Sequence, residues 1–260
     1  MAGSDRGAVV FLHAHPDDEA IFTGGTIVRL AAAGWRVVLV VATGGELGFP
    51  VGDGDDDRLR SHRIDETRAA AEILGVSRVE FLGYRDSGMA GHPDNGHARA
   101  FANADAVAVA EVVADVATEE RAAALVAYDD HGIYGHPDHV KVWEVATAAV
   151  TRAAVPVLYE ATVDREYLHF VETHLVVEAG GHRRELGLAG TALGVPTVAV
   201  STVVDVRDVL DVKRRAMAAH ASQIPETTSS MQLPTEAFAA VYGYEWYVRQ
   251  GAPGPLESLV

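Results

Sequence analysis

The chain has 260 residues and a formal net charge of −16. That length carries a full hydrophobic core without staples, and the acidity argues against a nucleic-acid or anionic-membrane partner. The absence of cysteine excludes disulfides and thiolate metal sites, so a transition metal would have to be held by His, Asp or Glu.

The opening residues MAGSDRG lack the apolar core of a signal peptide, and no run approaches the roughly 18 apolar residues of a membrane span. A soluble cytoplasmic protein is therefore expected. Strand-like runs then alternate with helical ones. AVVFLHA (8–14) reads as a buried strand, followed by an amphipathic helix from Glu19 to about Ala33. RVVLVVAT (36–43) is a second strand, and the helix over 58–75 has Gly75 as its stop signal. RVEFLGY (78–84) is a third strand, the Ala-rich 98–118 segment a helix, and AALVAYD (123–129) a fourth strand. A helix from His136 to Ala153 precedes VPVLYEAT (155–162). The remainder reads as helices plus one more strand near TVAVST (197–202). Continuous Val/Leu runs suit strands buried on both faces. The alternation predicts one α/β domain over 1–260: a doubly wound, mostly parallel, Rossmann-like sheet with helices on both faces and a C-terminal helical elaboration.

In such sheets ligands bind beyond the carboxyl ends of the strands. Two of those ends are unusual here. The first strand runs into AHPDDE (14–19), and the fourth into YDDHGIYGHPDHVKVW (128–143). A dinucleotide site would place glycines where HPDDE stands, and carboxylates there would repel a pyrophosphate. Helix capping accounts for one or two of these acids, but not for His15 or for a second cluster at another strand end. His15 and Asp18 are three residues apart, as are His136 and His139, so each pair can face one side. A His–Asp pair from one strand end and a histidine from the other make a three-ligand set with a fourth position open. That is the pattern of a catalytic rather than a structural zinc site.

AHPDDE (14–19) together with HPDH (136–139) resembles the signature pair of the PIG-L/LmbE-like zinc deacetylases. TGGELG (43–48), RIDE (63–66), YRDSGMAG (84–91) and KRRAMAAHASQ (213–223) extend the resemblance over most of the chain, with mycothiol-pathway members the nearest in pattern. The resemblance implies that His15, Asp18 and His139 bind Zn²⁺, with Fe²⁺ or another divalent metal an alternative. It implies Asp17 as general base, His136 in protonated form and Tyr134 as stabilisers of the oxyanion, and Asp138 as the acid that orients His136. Arg63, Asp86 and Glu46 would contact the substrate. The implied reaction is hydrolysis of the N-acetyl amide of an N-acetylglucosamine-containing small molecule, by an enzyme that could be a homo-oligomer. A mycothiol S-conjugate amidase is the alternative within the family. Metal and base are what amide hydrolysis requires, because water is a poor nucleophile and an amide a poor electrophile.

Other motifs compete less well. DGDDD (53–57) lacks the glycine and glutamate of a calcium loop and reads as a solvated loop. HPDNGH (92–97) follows no strand directly and reads as a surface loop. His13 shares a strand face with His15, His131 follows the fourth strand, and His220 and Gln223, one helical turn apart, either line the pocket or make a structural hydrogen bond. Their roles stay open. A His/His/carboxylate set also describes non-haem Fe(II) oxygenases, but those sit on β-barrels. A non-catalytic metal-binding module would not need Asp17 or His136.

Overall fold

The computed structural model describes residues 6–50, 55–171 and 193–260. Strands β1 (Ala8–His13), β2 (Arg36–Thr43), β3 (Arg78–Tyr84), β4 (Ala122–Tyr128) and β5 (Val157–Thr162) alternate with helices and are mutually parallel. Two strands from the C-terminal part complete the sheet: β6 (Thr202–Asp205) and β7 (Tyr244–Gly251). The order is β3-β2-β1-β4-β5-β7-β6, and β7 runs antiparallel to both of its neighbours.

β1 shows why both faces are covered. Val9 and Phe11 point into one core, formed with α1 (Asp18–Phe22), α2 (Gly24–Ala32), α3 (Asp56–Leu74) and α8 (Leu210–Ala219). Ala8, Val10 and Leu12 point into the other, formed with α4 (Ala106–Glu119) and α6 (Pro137–Ala153). Burying each such Val, Leu or Phe side chain contributes about 1.5–3 kcal/mol, and the period of two along a strand divides that gain between two helical layers. The expected doubly wound sheet is the observed one. Smaller elements finish the chain: the single turn α5 (Gly132–Gly135), α7 (Arg165–Val171), the turn α9 (Ser229–Gln232) and α10 (Thr235–Tyr242). Among the described residues, no helix is long and apolar enough to cross a membrane.

Four boundaries depart from the sequence reading. The helix expected over 19–33 is broken at Thr23, whose backbone is not helical. The Thr23 hydroxyl donates to the Glu19 carbonyl and meets His13 Nε2 at 2.9 Å. Behind it, the Glu245 carboxylate accepts the Gly25 and Thr26 N–H groups at 2.8 Å each and caps α2 as a separate helix. A Cβ on Gly25 would lie 2.4 Å from the Val206 side chain, so only glycine admits this packing. The 98–118 helix begins only at Ala106, with Asp105 as its cap, and the residues before it form turns that bury Phe101. TVAVST is a 3₁₀ turn (Thr197–Ala199) leading into β6. β7 was not anticipated as a strand at all.

Candidate active site

Between β1 and β4 the sheet order reverses its direction of growth. Loops leaving adjacent strands at such a point open a crevice beyond their carboxyl ends. The loop after β1 carries His15, Asp17 and Asp18. The path after β4, through α5 into the start of α6, carries Tyr134, His136, Asp138 and His139.

The second path is held in an unusual shape. Ile133 has φ 64° and ψ −55°, which is costly for a β-branched residue. The buried Asp129 carboxylate accepts its N–H at 2.8 Å and that of His131 at 3.1 Å, while the Thr162 hydroxyl donates to the other oxygen. Gly132 also has positive φ, and a Cβ there would lie 2.5 Å from that of His139. Pro137 then starts α6, with His136 as its cap: His136 Nδ1 accepts the Asp138 N–H at 3.1 Å. That bond leaves the proton of the neutral ring on Nε2.

The three expected metal ligands converge. His15 Nδ1 lies 3.4 Å and His139 Nε2 3.3 Å from the same oxygen, Asp18 Oδ2. All three residues are buried. Ligand atoms about 2.0–2.2 Å from a tetrahedral ion are spaced about 3.3–3.5 Å from one another, so this donor set fits one divalent cation. Asp18 is aimed by the Tyr128 hydroxyl at 2.8 Å and by the His15 N–H at 2.9 Å. Tyr128 in turn accepts the Ala14 N–H at 3.0 Å and meets His13 Nδ1 at 2.9 Å. His13 is therefore a packed strut between Tyr128 and Thr23. Burial pushes its pKa down to about 4.

Asp138 does not bond the His136 ring through its carboxylate. Its Oδ2 lies 3.2 Å from His15 Nε2 and accepts the Ser87 N–H at 2.9 Å, while the Ser87 hydroxyl donates to Oδ1. Its acid thus orients His15, and only its backbone N–H serves His136. Asp86 Oδ1 is also near His15 Nε2, at 3.6 Å. Burial opposes a charge on His15, but Asp86, Asp138 and Asp18 outweigh it and hold its pKa well above the ordinary value. Burial likewise opposes charge on Asp18, yet His139 and His15 keep its carboxyl well below the usual range.

Asp17 stands beside these groups with a left-handed backbone, φ 94°. Its carboxylate accepts from Arg63 at 3.1 Å and makes no ion pair with a histidine of the triad. Burial raises its pKa to about 6, with Arg63 opposing and Asp18 adding to the rise. Arg63 is itself buried and also donates to the Pro16 carbonyl at 2.5 Å and to the Gly45 carbonyl. The guanidinium expected to meet a sugar is engaged in holding the Asp17 loop. Glu46 accepts the Asp86 N–H at 3.2 Å through Oε1, while its buried Oε2 has no partner among the described residues. His136 is close to His15 and His139 in ring contact. Burial and these two rings push its pKa down to about 3. The Tyr134 hydroxyl lies 3.3 Å from His139 Nε2.

Of the remaining histidines, His131 is exposed beside Asp130. His92 is exposed and caps a 3₁₀ turn, so HPDNGH is the expected surface loop. In DGDDD, Asp55 caps α3, while Asp53 and Gly54 lie outside the described residues. Sequence reasoning missed Tyr128, Ser87 and Glu19 as site supports. Glu19 stood in the AHPDDE motif, and Ser87 in YRDSGMAG, but Tyr128 gave no signal beyond its place at the end of β4.

Known proteins resemble the chain in sequence and in fold. The PIG-L family profile, described as GlcNAc-PI de-N-acetylase, matches residues 10–150. A 1D-myo-inositol 2-acetamido-2-deoxy-alpha-D-glucopyranoside deacetylase of Acidothermus cellulolyticus is 38% identical, over 93% of this chain and 88% of that one. The like-named protein of Rhodococcus opacus is 40% identical, over 86% of this chain and 84% of its own. Among solved structures, the N,N'-diacetylchitobiose deacetylase from Pyrococcus horikoshii shares the fold, with a TM-score of 0.64 at 23% identity over 94% of this chain and 84% of that one. A matching profile over more than half of the chain, together with relatives of this identity along nearly their whole length, establishes that the protein belongs to the PIG-L de-N-acetylase family.

Proposed function

We propose that this protein is a zinc-dependent N-deacetylase that removes acetate from an N-acetylglucosamine unit linked to inositol. The convergence of His15 Nδ1, Asp18 Oδ2 and His139 Nε2, beside an Asp17 carboxylate that pairs with Arg63 and with none of the three, carries the reading. The inositol-linked substrate comes from the names of the relatives that align over most of the chain. The setting we infer is the cytoplasm.

His15, Asp18 and His139 would hold the metal, which when bound supplies Lewis acidity toward the amide carbonyl and acidifies water. The remaining work belongs to side chains. Asp17, held by Arg63, takes a proton from the attacking water and returns it to the leaving amine, a role for which a carboxylate raised to about 6 is suited. His136 donates through Nε2–H to the developing oxyanion. It does so as a neutral imidazole, since Nδ1 is occupied by the Asp138 N–H. Tyr134 supports the same oxygen with its hydroxyl. Asp138, locked by Ser87, fixes the ring of His15 and raises its basicity as a ligand. Glu46 Oε2 and Asp86 are the acceptors available to sugar hydroxyls, and Arg63 shapes that wall by fixing Gly45.

The test is release of the free sugar amine from the inositol-linked N-acetylglucosamine, from free N-acetylglucosamine and from an S-conjugate amide, whose larger acyl group leaves in place of acetate. The reading requires the first to turn over with the highest kcat/KM. Turnover confined to the S-conjugate would replace it with the amidase reading.

A further inference from the structure

Three residues just beyond α8 grip three separate parts of the active-site wall. His220 Nε2 lies 2.6 Å from Glu19 Oε1, with both side chains fully buried. Ser222 donates to Glu66 through its N–H at 2.7 Å and its hydroxyl at 2.6 Å. The Gln223 amide accepts the Phe49 N–H at 2.7 Å and donates to the Phe49 carbonyl at 3.0 Å. α1, α3 and the loop after β2 are thereby tied to one short segment.

Two of these ties lead to Asp17. Glu66 lies one helical turn from Arg63, whose guanidinium holds the Asp17 carboxylate. The link through Glu19 is more direct. Its Oε1 faces His220, and its Oε2 accepts the Asp17 N–H at 3.1 Å. That N–H belongs to a residue with φ 94°, a conformation a non-glycine residue keeps only where its surroundings over-determine it. The Asp17 carbonyl is engaged as well, by the Ala20 and Ile21 N–H groups at 3.1 and 3.0 Å. An aspartate in this backbone state aims its carboxylate differently from one in a relaxed state.

We propose that His220 is a positioning residue for the reaction: through Glu19 it locks the left-handed backbone of Asp17 and so aims the base. The inference rests on the reading of Asp17 as general base. His220 donates from Nε2, a position that a glutamine amide reproduces and an asparagine amide does not. Packing alone would not distinguish the two replacements in this way.

The experiment uses the zinc-loaded protein and acetate release from the inositol-linked substrate. His220→Asn should lower kcat roughly 10- to 100-fold, with KM and metal content unchanged, and His220→Gln should restore most of the loss. In a D17N background, His220→Asn should change the residual rate by less than about twofold, because residues that act as a unit are non-additive. If His220→Asn does not fold, Glu19→Gln takes its place in the same cycle. Equal kcat in the Asn and Gln variants, or a full multiplicative loss on top of D17N, overturns the positioning role. A fully active D17N protein overturns instead the base assignment beneath it.

Discussion

Asp138 Oδ2 sits 3.2 Å from Nε2 of His15, across the ring from the Nδ1 that faces Asp18 at 3.4 Å. The carboxylate thus stands behind His15, the proposed metal ligand, rather than behind His136, the proposed oxyanion donor. Asp138→Asn should therefore weaken metal affinity by about 10- to 100-fold, read by competition with a chelating dye. Unchanged affinity with a reduced kcat would return Asp138 to the service of His136.

Asp17→Asn should keep the metal and lose roughly 10² to 10⁴ in kcat, the usual worth of a general base. The substitution preserves the side chain's shape and an oxygen for Arg63. Steady-state kinetics alongside elemental analysis checks both halves. Near-normal turnover at full metal content would exclude Asp17 from proton transfer.

Tyr128 supports the site from beneath. Its hydroxyl serves Asp18, His13 and the Ala14 N–H, all buried. Tyr128→Phe leaves the Ala14 N–H without a partner and should cost about 1–3 kcal/mol of stability. Denaturant unfolding measures it, and a loss below a few tenths of a kcal/mol would show that the network is dispensable.

These supports mark where the sequence stopped being legible. The convergence of the clustered residues was readable because their spacing is local: His15 to Asp18 across one turn, and His136 to His139 at a proline-initiated helix. β1 to β5 were readable because each is a short apolar run. β7 was not, because Glu245, Arg249 and Gln250 interrupt its pattern and its partner β5 is distant in sequence. The break at Thr23 had the same origin, since Glu245 arrives from β7 to cap α2. The carboxylate partner of Asp138, and the backbone carbonyls and Asp17 that Arg63 also serves, were not legible for a related reason. Spacing shows which residues share a face, but not that Ser87 and Gly45 would be brought there to occupy them.

The C-terminal tail predicts a pH effect. Glu257 accepts from Tyr159, from the Gly254 N–H at 2.7 Å, from Arg249 at 2.7 Å and from Thr202 at 3.0 Å. Burial opposes its charge, but these donors outweigh it and hold its pKa at about 2, below the ordinary 4.5. Its stabilisation is therefore present above pH 4.5 and lost as pH falls through about 2. Glu257→Gln should lower the Tm at about pH 6, and its gap from wild type should close by about pH 2. A gap that does not vary with pH would contradict the assignment.

The central claim is that one divalent ion held by His15, Asp18 and His139 is required for deacetylation. The most direct measurement is acetate release by chelator-stripped protein during titration with zinc, with His139→Ala in parallel. The account predicts that stripped wild type is folded and inactive, and regains full activity at one equivalent of zinc. It predicts that the variant neither retains the ion nor recovers. Full turnover by protein with no measurable metal, or by the variant, would contradict it.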